Sequence, residues 1–201
     1  MNRTKQKSRG GLAPVAKLFP PQGQWSESEY FALPDTNRYV ELSEGRLIMP
    51  PHPTFRHQEA LKRVFLRLQA FVENNHLGMV EIAPLPVRLW AGKIREPDIF
   101  FIAQEHADRI AEQFCGVPDL VVEVISSSTR TVDRADKFYE YARAGVLEYW
   151  MVDLGEATVE VYVLKEGAYL LLGKYLPGQT ATSQLLSGFQ VIVDEVVSPA
   201  S

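Results

Sequence analysis

The run Val121-Val122-Glu123-Val124-Ile125 reads as one buried β-strand with a single carboxylate inside it. Burying an ionised carboxylate without a partner costs several kcal/mol or more, so a strand of this kind carries its acid for a metal, a cation or a reaction. What sits opposite Glu123 therefore constrains the fold. Asp119 shares the strand and the face, but four residues at roughly 3.3 Å each put it about 13 Å away, too far to share one ion. It reads instead as a strand-entry residue after Gly116-Val117-Pro118. Asp98, in Glu96-Pro97-Asp98-Ile99-Phe100-Phe101-Ile102, begins a second apolar strand. A neighbouring strand can bring it within about 5 Å of Glu123, and the pair Asp98/Glu123 is the expected centre of the site.

A chain of 201 residues and 22.7 kDa is large enough for one domain that buries such a pair. The single cysteine, Cys115, excludes an internal disulfide, and the first residues lack the apolar core of a secretory signal, so a reducing cytoplasm is expected. Every hydrophobic run is broken by Pro, Gly or charge before it could cross a bilayer, and no membrane partner is expected. The net charge of -4 argues against a protein that coats nucleic acid. Arg3, Lys5, Lys7, Arg9 and Lys17 all precede the first acid, Glu27, so residues 1–24 read as a flexible basic arm, either a solvated tail or a phosphate-binding one.

Along the chain, Ser26-Glu27-Ser28-Glu29 has capping-box spacing and predicts a short helix stopped by Pro34. Alternation over 38–42 and 46–49 around Glu44-Gly45 predicts a β-hairpin carrying Glu41. Leu61, Val64, Phe65, Leu68, Phe71 and Val72 recur at helical spacing and predict a helix over 54–74, with Lys62, Arg63 and Arg67 on its outer face. Strands are expected at 79–90, 97–102 and 120–125, then at 147–153, 158–164 and 168–175. A helix over 129–144, closed by Gly145, serves as the crossover between the Glu123 strand and the next. The sum is an α+β fold: a mixed sheet flanked by helices, preceded by an N-terminal helix and hairpin, as a single domain over 25–197 with a loose tail at 198–201.

Two carboxylates plus waters and phosphate oxygens suit Mg2+ or Mn2+. The nearest cation that could orient water or steady charge is Lys137, on the crossover helix. Helical spacing puts Asp133, Lys137 and Tyr141 on one stripe; the bland account of the first two is a surface i, i+4 pair. His57 falls on the inward face of the first long helix, as a core residue or a pocket group. Glu41 can face solvent or pocket. Glu105-His106-Ala107-Asp108 reads as a solvated connection and Ser126–Thr129 as a helix entrance, and neither a dinucleotide fingerprint nor a P-loop occurs.

Taken together, Tyr39-Val40-Glu41-Leu42, Glu44-Gly45, His57-Gln58, Pro97-Asp98 and Pro118-Asp119-Leu120-Val121-Val122-Glu123-Val124-Ile125-Ser126 resemble the Uma-two-type endonucleases. These are a bacterial branch of the PD-(D/E)xK restriction-endonuclease-like superfamily. The likeness continues through Asp133, Lys137 and Tyr141-Ala142-Arg143-Ala144-Gly145-Val146 to Glu148-Tyr149-Trp150-Met151-Val152-Asp153, and spans Ser26 to Glu195. The resemblance implies a metal-dependent phosphodiesterase on the restriction-endonuclease fold, with Asp98 and Glu123 as metal ligands and Glu41 as a further acid. Where the wider superfamily has its lysine, two residues after the acid, this chain has Ile125; the resemblance implies that Lys137 supplies the amine.

Three functions compete: a nuclease acting on DNA, with Lys62, Arg63 and Arg67 touching phosphates; a non-catalytic nucleic-acid or protein-binding module on the same fold; and a structural dimer in which Lys137 merely neutralises Glu123. Cutting both strands of a duplex would be done most simply by a homodimer.

Overall fold

The structure is a computed structural model that describes residues 19–34, 39–125 and 132–198. The chain enters through α1 (Glu27–Phe31), whose capping box forms as expected: Ser26 Oγ accepts from the Glu29 amide and the Glu29 carboxylate accepts from the Ser26 amide. The hairpin follows as β1 (Glu41–Ser43) and β2 (Arg46–Ile48), then α2 (Phe55–Asn74). Next come β3 (Gly78–Ile82), β4 (Val87–Trp90), β5 (Lys93–Arg95) and β6 (Ile99–Ala103). A 3-10 turn, Gln104–Arg109, leads to β7 (Leu120–Ile125). A π-helical turn, Val132–Lys137, runs into α3 (Phe138–Ala144), which ends on left-handed Gly145. The chain closes with β8 (Glu148–Asp153), β9 (Thr158–Lys165), β10 (Ala168–Tyr175), β11 (Thr180–Thr182), β12 (Gln190–Ile192) and α4 (Val193–Val197).

Six strands form a mixed sheet in the order β10-β9-β8-β7-β6-β3, where β7 and β8 run parallel and the other pairs antiparallel. The parallel pair is the one joined through α3, as a crossover requires. Odd and even residues of β7 serve opposite faces. Leu120, Val122 and Val124 pack with Leu61, Val64, Leu68 and Val72 of α2, whereas Val121 and Ile125 pack with Tyr141, Tyr149 and Met151 on the α3 side. Glu123 has the parity of the α3 side.

The structure refines the expected elements at four points. The strand expected over 79–90 is two strands in different sheets, because Pro84 and Pro86 interrupt the ladder between β3 and β4. The expected hairpin forms, and it joins a second, four-stranded sheet, β2-β1-β5-β4. Residues 19–24 do not belong to a free arm: Gln22 bonds the backbone of Leu47, the Gly23 and Trp25 amides donate to the Gly45 carbonyl, and Phe19 stacks on Trp25. The basic residues Arg3 to Lys17, the Ser126–Thr129 helix entrance and the tail from 199 lie outside the described residues. Finally, 176–197 contains β11, β12 and α4, which the sequence reading left unassigned.

The C-terminal segment is tied in by Glu148, fully buried in β8. Its carboxylate accepts from Trp150 Nε1, Ser183 Oγ and the amides of Gln184 and Leu185. An acid in an apolar strand can thus be purely structural when backbone donors saturate it. Asp119 is another such case, accepting from the Ala103 amide at 2.7 Å, His106 Nδ1 at 2.8 Å and Arg109 at 3.3 Å. The connection carrying His106 is therefore anchored to a strand rather than wholly solvated.

Candidate active site

β6 and β7 are in register Ile99 to Val122, and the same register sets Asp98 opposite Glu123. The ladder stops at Ile99, and beyond it Asp98 Oδ2 accepts the Val124 amide at 2.7 Å. The same oxygen lies 3.3 Å from His57 Nε2. His57 is placed by the start of α2, where Thr54 Oγ1 accepts the His57 amide at 3.2 Å.

From the other face, Lys137 sits where the π turn meets α3. A π turn is a local distortion found at functional sites, and here it delivers an ammonium to the sheet end. Lys137 Nζ lies 2.8 Å from Glu123 Oε1 and 3.8 Å from Glu41 Oε1. Tyr141, one turn on and fully buried, donates to the same Glu123 oxygen at 2.7 Å. Burial, with Glu123 and Glu41 adding, pushes the Tyr141 hydroxyl well above its ordinary pKa, so it stays a donor. The shared stripe thus holds for Lys137 and Tyr141.

Glu41 faces inward, 2% exposed, although periodicity left its direction open. Its Oε2 is gripped by Arg95 at 2.5 Å. Arg95 also makes a two-pronged contact to Glu140 at 2.7 and 3.0 Å, and Lys93 Nζ reaches Glu140 at 2.7 Å. Burial opposes ionisation of Glu140, but Arg95 and Lys93 outweigh it and hold that carboxyl below its usual range. This network ties β1 and β5 to α3 three residues past Lys137, so Glu41 and the lysine are positioned by one set of charges.

Glu41, His57, Asp98, Glu123 and Lys137 all line one pocket with Tyr39, Glu96 and the segment Pro50 to Thr54, enclosing about 70 Å3. Burial, reinforced by Asp98, Glu96 and Glu123, raises the Tyr39 hydroxyl to about 12. Glu96 was not singled out from the sequence. It is buried beside Glu41, and burial followed by that neighbouring charge pushes its carboxyl up to about 7. Its signal was the Glu-x-Asp spacing before β6; Arg95 was missed because adjacent charges read as surface, and Glu140 because a lone acid on a helix does too.

The donors fit a hard divalent cation. Four carboxyl groups face Lys137 and His57 in one pocket, and Glu96 Oε2 is buried with no hydrogen-bond partner among the described residues. Also among the described residues, no three His, Cys, Asp or Glu side chains are grouped to hold a metal by themselves. Two carboxylates completed by waters are the pattern Mg2+ accepts.

Lys62, Arg63 and Arg67 do not form the open basic face expected of them. Arg63 donates to the carbonyls of Glu195 and Ser198, Arg67 pairs with Glu195 at 2.5 Å, and Lys62 pairs with Glu59. The two arginines hold the C-terminal segment against α2, because α4 packs on the face that periodicity had assigned to solvent.

A family model named Uma2, described as "Putative restriction endonuclease", matches residues 27–194. The chain belongs to the Uma2 family. A crystal structure described as a "putative nuclease belonging to DUF820" from Anabaena variabilis has the same fold, at a TM-score of 0.74 and 20% identity over 86% of this chain and 97% of that one. Comparison with curated proteins finds no match. Among the described residues no helix is long and apolar enough to cross a membrane.

Proposed function

We propose that this Uma2-family chain is a metal-dependent endonuclease that hydrolyses phosphodiester bonds in DNA, with Asp98 and Glu123 holding Mg2+ or Mn2+. The observation that carries the reading is the Lys137 ammonium 2.8 Å from Glu123 in the pocket that Asp98 also lines. A divalent ion there supplies Lewis-acid stabilisation of phosphate charge and acidifies water. The protein does the rest. His57 and the Val124 amide fix Asp98, while Tyr141 fixes Glu123. Lys137 donates to the attacking water or to the equatorial oxygens as charge gathers on them. Glu41, clamped by Arg95, lies 3.8 Å from Lys137 Nζ and helps to aim it. Water adds to phosphorus, one ester P–O bond breaks, and the leaving oxygen takes up a proton.

Plasmid nicking tests this. With Mg2+ or Mn2+ the parent converts supercoiled DNA, and Asp98→Ala and Lys137→Ala each lose about 100-fold or more of that rate. Variants that nick like the parent overturn the assignments. A purely structural Lys137–Glu123 pair, the competing reading, leaves every nucleic acid intact and gives no thermal stabilisation by either metal. A homodimer is part of the proposal for duplex cutting, and sedimentation at the mass of one 22.7 kDa chain on a cut duplex rejects it.

A further inference from the structure

Three of the four pocket carboxyls have assigned work, and Glu96 does not. It is 8% exposed; the Tyr30 hydroxyl, which donates to the Val40 carbonyl at 2.7 Å, lies 3.4 Å from its Oε1, the Val40 amide also favours its ionised form, and its Oε2 is buried with no hydrogen-bond partner among the described residues. A buried acceptor left unmade costs about 1–3 kcal/mol, more when charged, so it calls for a partner supplied in another state of the protein. Local geometry says where. Glu96 and Asp98 flank Pro97 in the link between β5 and β6, and both line the same pocket. The nearest cations are engaged: Arg95 bonds Glu41 and Glu140, and Lys137 lies against Glu123.

Direct ligation of an ion by Glu96 together with both other acids is not what the spacing offers, since no such trio is grouped among the described residues. A water in between is. Mg2+ keeps several of its waters, and about 70 Å3 leaves room for them. We propose that Glu96 is an outer-sphere acceptor for the hydration shell of the cation held by Asp98 and Glu123, an inference that rests on the cation reading above. Groups in this position orient the ion's waters, and losing them weakens metal binding by about 10–100-fold.

Calorimetric titration of Mn2+ into the parent, Glu96→Gln, Glu96→Met and Asp98→Asn, with thermal unfolding of the metal-free proteins, tests it. Both Glu96 variants are expected to bind Mn2+ at least about tenfold more weakly, while their metal-free melting temperatures hold or rise because an unsatisfied buried acid has gone. A structural role would instead lower both melting temperatures, and that result overturns the proposal. Unchanged Mn2+ affinity in the Glu96 variants, with binding lost in Asp98→Asn, overturns this inference alone and leaves the nuclease reading standing. A parent that binds no Mn2+ overturns both.

Discussion

Glu123 Oε1 accepts from Lys137 and Tyr141 at once, and both members of the ion pair are buried. Removing one charge breaks the pair and leaves the other charge buried. Lys137→Met is therefore expected to lose about 3–5 kcal/mol in urea unfolding, and the double variant Glu123→Gln/Lys137→Met to recover most of that loss. A second residue reports on pH. Burial of Glu160 opposes its ionisation, but hydrogen bonds from Arg134, Tyr162 and Lys174 outweigh it and hold its carboxyl at about 2. A depressed folded pKa stabilises the protein above the unfolded value, and that contribution drains away as pH falls from about 4.5 towards about 2. It is on the order of 3 kcal/mol. Arg134→Met should remove much of it at neutral pH, so parent and variant stability curves converge near pH 2. Parallel curves would mean that the arginine does not set the Glu160 pKa. Asp98 and Glu123 stood out as candidates in the sequence because charge inside or beside an apolar run is costly, whereas Lys137 was chosen from its place on the crossover helix and from the family resemblance. Glu96 and Arg95 were hidden, since a run of charges before a Pro looks like any exposed turn until a second layer covers it.

At the level of elements, periodicity served for the core face of α2, whereas the face it gave to solvent is partly covered by α4. It failed for β5, whose three residues are all buried yet include Lys93 and Arg95. Their charges are met by Glu41 and Glu140 from elements distant in sequence, which no local window contains. The hairpin carrying Glu41 depends on one glycine. Gly45 has φ +71, and a Cβ there would lie 2.7 Å from the Gly23 carbonyl oxygen, against backbone that cannot yield cheaply. Gly45→Ala is expected to cost about 1–3 kcal/mol. Hydrogen exchange should quicken first in β1 and β2, because the damage is local to the four-stranded sheet. Equal quickening across β6 to β9 would show that hairpin and central sheet unfold as one unit.

For the whole molecule, the balance of charge decides how a nucleic acid can be held. A net charge of -4 and an acid-lined pocket repel a phosphate backbone, and Arg63 and Arg67 are committed to the C-terminal segment. With those two arginines committed, the proposed mechanism has the divalent ion offset the pocket acids before a strand can approach. Two measurable consequences follow. Binding of a labelled duplex to the Lys137→Ala protein, followed by fluorescence anisotropy, should be weak in chelator and strengthen when Mn2+ is added. Its dependence on monovalent salt should also be shallow, because each neutralised phosphate contributes about -0.9 to the slope of log K against log salt. Two to four phosphate contacts give about -2 to -4. A much steeper slope that persists in chelator would mean that a basic surface binds the duplex without the ion, and the pocket would then no longer be what brings substrate to the protein.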